Sequence, residues 1–252
     1  MKLGAQLYSV RNHTQTPEDV AKTFAKMKEI GYQTVQLSAI CPMEAEEFKK
    51  LGETYGLDIP STHTAPDRII NDTDAVIAEH KTFNCHEIGI GSMPTEYRGS
   101  IEGVRKFIKD FTPAMEKIKA AGLLLSYHNH AFEFDDLGGT DAYEILINEM
   151  PGLTFIVDTY WLRYAGKDPL AMIERLGKQG RIASVHFKDI ASEPKGPICP
   201  CGDGLIDFAP IHALCEKVGV QDVFVEQDNA PDTDSIACMK KSFEALRGIF
   251  GL

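Results

Sequence analysis

Four short apolar stretches of this sequence run directly into imidazoles and carboxylates. Residues 182–185 are Ile-Ala-Ser-Val and are followed by His186, Phe187, Lys188 and Asp189. Residues 123–128 lead into Asn129, His130 and Glu133, residues 153–157 into Asp158, and residues 223–225 into Glu226. A buried strand that ends in such groups points that end at something polar, because an unpaired buried charge costs more than an aliphatic side chain gains. Parallel strands would bring the polar ends to one face. Glu133, Asp158, His186 and Glu226 would then form a cluster whose carboxylates repel one another unless a cation holds them. Oxygen and imidazole ligands without a thiolate suit one divalent metal ion, Mn, Mg, Co or Zn. Gln36, His63, His128, His130 and Lys188 share the same mouth on this map, and Trp161, the only tryptophan, follows Asp158 closely.

The elements that must position these residues alternate along the chain. Strands are predicted at 3–8, 33–37, 57–62, 86–90, 123–128, 153–157, 181–187 and 222–225. Helices separate them. Thr16-Pro17-Glu18-Asp19 carries a capping hydroxyl, proline at the first helical position and acids in the first turn, and Gly31 stops that helix. Further helices are predicted at 44–55 and 72–83, and Val104, Phe107, Ile108, Phe111, Met115 and Ile118 mark a long one that Pro113 kinks or divides. Others start at Thr140 or Asp141, at Asp168-Pro169 and at Asp207, and the last runs from about Thr233 to Leu246. Residues 191–204, rich in Gly, Pro and Cys, form a long loop. Eight strands alternating with eight helices in 252 residues, with no linker, imply a single-domain (β/α)8 TIM barrel spanning 1–252.

Composition narrows the function. The net charge of −11 argues against a nucleic-acid partner, which wants a clustered basic face. No run approaches a membrane span and the first residues lack the apolar core of an export signal, so a cytoplasmic protein with no membrane partner is expected. The six cysteines then read as reduced thiols, with Cys199-Pro-Cys201 packing in its loop. The sequence is compatible with a homo-oligomer.

Val-Asp158-Thr-Tyr-Trp161, Tyr164-Ala-Gly166-Lys-Asp-Pro169, Gly180-Arg-Ile182, Val-His186-Phe-Lys-Asp189, Gly202-Asp-Gly204-Leu-Ile-Asp207 and Val-Glu226-Gln-Asp228 together resemble the sugar phosphate isomerase/epimerase family of xylose-isomerase-like TIM barrels. The resemblance spans nearly the whole chain and is densest from Ser126 to Asp228. It implies one divalent metal held on the fifth to eighth strands by Glu133, Asp158, His186 and Glu226, and a small-molecule sugar substrate. The chain departs from the family pattern at Gln36, where relatives often have an acid, at Trp161, where they often have histidine, and at Tyr127-His-Asn-His130. There His128 or His130 is the alternative to Glu133 as ligand.

Such a site removes a proton next to a carbonyl and passes through an enediolate. As an isomerase or epimerase, the chain would use Glu133 and Glu226 on opposite faces of the carbon. As a lyase or dehydratase on a keto-sugar, keto-glycoside or keto-inositol, it would use His128 or His130 as base. His63 and His130 would contact substrate, Trp161 would cover an apolar sugar face, and Lys188 would place positive charge beside the substrate oxygens. The plainer expectation for Lys188 is an ion pair with Asp189.

Overall fold

The computed structural model describes residues 1–229 and 234–252. Its centre is a closed barrel of eight parallel strands: β1 (Lys2–Gln6), β2 (Thr34–Leu37), β3 (Asp58–His63), β4 (Glu87–Ile90), β5 (Leu124–His128), β6 (Thr154–Asp158), β7 (Ile182–Phe187) and β8 (Asp222–Val225). The ring closes where β1 pairs with β8, Leu3 opposite Val223 and Gly4 opposite Phe224. β1 also pairs with β2, which sets Gln6 opposite Gln36. The β6–β7 register sets Asp158 opposite His186.

Successive strand residues point to opposite faces. Hydrogen bonds between Gln6 and Glu226, Gln36 and His186, and Ser184 and Glu87 place these side chains on the barrel axis. The alternate residues Val35, Tyr127, Val157, Val185 and Val225 belong to the hydrophobic core under the helices. Branched apolar side chains usually dominate the interior of such a barrel. Here much of the interior is polar, and apolar packing is concentrated between strands and helices.

Local chemistry explains the helix ends. Thr16 accepts from the Asp19 N–H, and Gly31 closes the same helix at φ 119°, a left-handed conformation that needs glycine. Asp168 and Asp207 accept from Leu170 and Ala209 N–H groups and cap their helices. Pro113 does not divide the long helix, which runs unbroken over Ile101–Ala120. Its buried face, with Val104, Phe107, Phe111, Met115 and Ile118, outweighs the backbone bond that Pro113 cannot make on the exposed side.

Two short helices, Pro66–Asn71 and Thr159–Tyr164, were not predicted. Six residues are too few for a visible 3.6-residue period, and each helix starts within three residues of a strand end. After Gln6 the chain turns into a 3-10 helix, Leu7–His13, so β1 is shorter than residues 3–8. The 191–204 segment is tied down rather than loose. Asp189–Ile190 pairs antiparallel with Ile198–Cys199, and the Asp189 carboxylate accepts from the Gly202, Gly204 and Ile206 N–H groups. A Cβ on Gly204 would lie 2.3 Å from Asp189 Oδ1, so only glycine permits this wrap. The last helix is Ser235–Leu246; Thr233, its predicted start, lies outside the described residues.

Candidate active site

His128, Asp158, His186 and Glu226 meet at the C-terminal mouth of the barrel, one ligand atom of each within 4.8 Å of the others, and all four are buried. Backbone and side-chain bonds aim them. His128 Nδ1 lies 3.1 Å from the Gly91 carbonyl, a contact that requires N–H on that nitrogen. Its Nε2 then carries the lone pair and faces Asp158 Oδ2 at 3.3 Å. Burial and the neighbouring His186 push the His128 imidazole down to about 3, so it stays neutral. Asp158 divides its oxygens. Oδ1 accepts from the Trp161 N–H and starts the Thr159–Tyr164 helix, while Oδ2 points into the cluster. Capping this helix and offering a ligand atom to the cluster therefore use different oxygens of Asp158.

His186 Nε2 lies 2.8 Å from Gln36 Oε1, and its Nδ1 lies 2.9 Å from Glu226 Oε2. Gln6 orients Glu226. Its Oε1 takes the Tyr8 N–H, which turns Nε2 to Glu226 Oε1 at 2.9 Å and to His63 Nδ1 at 3.4 Å. Two imidazole nitrogens and two carboxylate oxygens, with outer bonds that leave the inward nitrogens to a ligand, are a donor set that fits one divalent cation.

Lys188 is fully buried and does not pair with Asp189, whose oxygens are engaged by backbone amides. Its ammonium lies 2.6 Å from Asp228, 3.2 Å from Glu226 and 3.7 Å from Asp158. Burial by itself lowers its pKa, but the three carboxylates outweigh burial and raise it. Burial likewise pushes Asp158 and Asp228 up to about 6. For Glu226, burial is overruled by Lys188 and His186, which hold it below the usual carboxylate range. The Lys188 ammonium also sits 5.1 Å from the Trp161 ring centre.

Glu133 is not brought into the cluster. It sits on the 3-10 turn Phe132–Phe134, where Oε1 accepts from Tyr127 OH at 2.6 Å and Oε2 from the His130 N–H at 2.8 Å. Burial raises it to about 7. His128 stands where Glu133 was expected, because it continues the inward phase of β5 while Glu133 lies beyond the strand. Asp228 was missed as a site residue, although Val-Glu226-Gln-Asp228 lies within the motif. The signal was its place two residues beyond Glu226 and so in phase with it.

An open cavity of about 480 Å³ lies over the cluster, lined by Tyr8, Ser38, His63, His128, His130 and Asp228 among others. Several buried polar atoms around this mouth have no partner: His63 Nε2, His130 Nδ1, Trp161 Nε1 and Asp228 Oδ1. Because Gln6 donates to His63 Nδ1, the His63 proton is on Nε2. His130 stacks on Phe132 and meets Trp161 at 5.2 Å between ring centres.

A closed parallel barrel with imidazoles and carboxylates at the C-terminal ends of its strands is the architecture of TIM-barrel enzymes. The chain belongs to the xylose isomerase-like TIM barrel family, whose model matches residues 24–247. An inosose dehydratase of Lacticaseibacillus casei is 22% identical over 239 residues, covering 80% of this chain and 79% of that protein. A sugar phosphate isomerase/epimerase from Parabacteroides distasonis superposes with a TM-score of 0.81 at 21% identity, covering 98% of this chain and 93% of that one. The IOLI protein with a bound zinc atom superposes with a TM-score of 0.73 at 13% identity, and the match covers 100% of both chains. At these identities the solved structures share the fold. Among the described residues no helix is long and apolar enough to cross a membrane.

Proposed function

We propose that this protein is a divalent-metal-dependent enzyme that takes a proton from the carbon beside a carbonyl of an uncharged keto-sugar or keto-cyclitol, and that it completes a dehydration. The observation that carries the reading is the four-donor cluster of His128, Asp158, His186 and Glu226 at the floor of the mouth. A divalent cation held there supplies Lewis acidity to the substrate carbonyl when bound.

The chain's own groups supply the rest. Asp228, which lines the cavity, is the base: its Oδ2 is fixed by Lys188, and its buried Oδ1 has no hydrogen-bond partner. His128 or His130 was expected to be the base in an elimination, but the His128 lone pair is turned into the cluster. Lys188 keeps positive charge beside the carboxylates and orients Asp228. His63, which lines the cavity, has a buried Nε2–H without a partner, a donor for a substrate hydroxyl.

Elimination is favoured over epimerisation by the position of Glu133. Epimerisation by two bases needs acids on opposite faces of one carbon, and Glu133 is bonded to Tyr127 and His130 instead. A single base that takes the carbon proton and passes it to a departing hydroxyl on the same face releases water and needs no second acid. Two features support a substrate without phosphate. No arginine or lysine lines the cavity among the described residues. The glycine amides at Gly202 and Gly204 are already filled by the Asp189 carboxylate.

The test is a panel of keto-sugars and inososes in deuterated water with added Mn²⁺, read by mass spectrometry and NMR. The expected product has lost water. In Asp228→Asn, turnover should fall by about 10²–10⁴-fold, the usual contribution of a positioned base. A product of unchanged mass with deuterium next to the carbonyl would make the enzyme an isomerase or epimerase. Unimpaired turnover in Asp228→Asn would assign the base elsewhere.

A further inference from the structure

The cavity over the cluster has a neighbour. A second cavity, of about 470 Å³, opens beside it among the segments that follow β2 and β3. Ser38, Ala39, His63, Thr64 and Ala65 line both, so the two spaces meet at the ends of these strands. Their remaining walls differ. The first is lined by His128, His130, Glu226 and Asp228, whereas the second is faced by Leu37, Ile40, Pro42, Met43, Phe48 and Phe83.

Polar side chains along the second cavity are already engaged. Arg68 makes two bonds to Glu79, at 2.7 and 3.2 Å. His80 Nδ1 donates to the Val76 carbonyl at 2.7 Å, so its Nε2 accepts, and the Thr62 hydroxyl lies 2.8 Å from it. Thr64 Oγ1 in turn lies 2.8 Å from Thr62 Oγ1. These bonds leave mainly aliphatic and aromatic surface for an occupant.

The cavity is also preformed. Ala39 stands at φ 53°, a left-handed conformation that turns the chain after β2. The Cys41 N–H then donates to the Thr14 carbonyl at 2.9 Å. Glu44 and Glu47 exchange side-chain and backbone bonds and start the helix Ala45–Tyr55. The 38–44 segment is thereby anchored along its length by backbone groups. Apolar walls left open to water mark a place where apolar matter binds. Continuity with the first cavity selects the occupant: a molecule whose sugar ring lies over the cluster reaches the second cavity with a group attached directly to that ring. The Phe48 and Phe83 rings, edge to face with centres 6.0 Å apart, suit an aromatic group. An apolar cavity of about 150 Å³ holds benzene, so one or two rings fit here.

We propose, on the keto-sugar reading of the first cavity, that the second cavity is the subsite for an aromatic group carried by the substrate, and that the protein takes an aryl glycoside of a keto-sugar in preference to the unsubstituted sugar. The aryl group is bound and retained, and the group released is still water.

The experiment uses the methyl, phenyl and 2-naphthyl glycosides of one keto-hexose with the protein in Zn²⁺. Affinity is read by calorimetry. Position is read by NMR of protein carrying ¹³C in its methionine methyl groups, with the Met43 signal assigned from Met43→Leu. The aryl glycosides should bind about ten- to hundredfold more tightly than the methyl glycoside, the gain for burying an aromatic ring. They should also shift the Met43 signal by ring current, and the methyl glycoside should leave it in place. Ala45→Phe, which fills the cavity, and Ile40→Asp, which puts a charge in it, should each remove most of the aryl preference. Both variants should keep affinity and turnover for the methyl glycoside within about twofold, as for sites that do not couple.

Equal affinity for the three glycosides would overturn the proposal. So would an aryl preference that leaves the Met43 signal unmoved and survives both substitutions. A dimer in sedimentation that Ile40→Asp dissociates would overturn it as well, because a second copy of the chain would then cover the cavity. The binding measurements need no turnover. Tight aryl binding with the Met43 shift, but no loss of water from any glycoside, would keep the subsite and remove the dehydration. Loss of water from the methyl glycoside without any aryl preference would keep the reaction and remove the subsite.

Discussion

Replacing Lys188 by methionine removes one buried charge and keeps a side chain of similar reach. The ammonium lies 2.6, 3.2 and 3.7 Å from Asp228, Glu226 and Asp158. At an effective dielectric of about 20, each such pair gains about 4–6 kcal/mol before desolvation is counted. Desolvation cancels most of that sum, and breaking a buried pair by deleting one partner typically costs about 3–5 kcal/mol. For a domain of this size that corresponds to a fall in melting temperature of roughly 6–20 °C.

The pH dependence has a definite sign. The Lys188 pKa is raised in the folded state, so its contribution is complete below the unfolded lysine value of 10.5 and is fully present at pH 7.5. The loss should therefore be large at pH 7.5. It should shrink near pH 5, where Asp158 and Asp228, both pushed up to about 6, take up protons and no longer need the cation. The assay is thermal denaturation of wild type and variant in chelator at both pH values, then at pH 7.5 with Mn²⁺. A divalent ion at a hundred times its Kd returns about 2.7 kcal/mol. A melting temperature within about 2 °C of wild type at pH 7.5 in chelator, well short of the size-scaled expectation, would refute the reasoning. An equal loss at pH 5 would show that Asp158 and Asp228 are not its origin.

Three further outcomes are expected. His128→Ala and His186→Ala should each lose most bound metal while Glu133→Gln keeps it, measured by elemental analysis after dialysis; metal loss in Glu133→Gln would return that residue to the ligand set. Glu133→Gln should also change the pH profile of stability. The Glu133 pKa is raised from 4.5 to about 7, so wild type loses stability as pH rises through that window, by about 3 kcal/mol in total at 1.36 kcal/mol per pKa unit. The variant's melting temperature relative to wild type should therefore climb between pH 5 and 8, and a constant offset would mean that Glu133 ionises freely. Gly204→Ala should disrupt the Asp189 wrap, since the added Cβ falls 2.3 Å from Asp189 Oδ1, and faster proteolysis within 191–204 is the readout.

The sequence alone determined the barrel and three of its four clustered donors. Strand and helix signals alternate because a parallel strand needs a crossover, and each apolar strand core ends in a group that has to face the mouth. Asp158, His186 and Glu226 were legible for that reason, as were the caps Thr16, Asp168 and Asp207, whose effect is local in sequence. The fourth donor was decided by phase. His128 continues the inward face of β5 after Ser126, whereas Glu133 lies five residues further on, and the turn after the strand carries it to Tyr127 and away from the axis. Glu87 in β4 and Ser184 in β7 were visible as residues. Their contact inside the barrel was not, because it depends on the stagger of strands that are not neighbours. The same holds for Lys188. Its neighbour Asp189 was the nearest acid in the chain, but adjacent strand residues point to opposite faces, so its partners had to come from strands that only barrel closure brings to the same side.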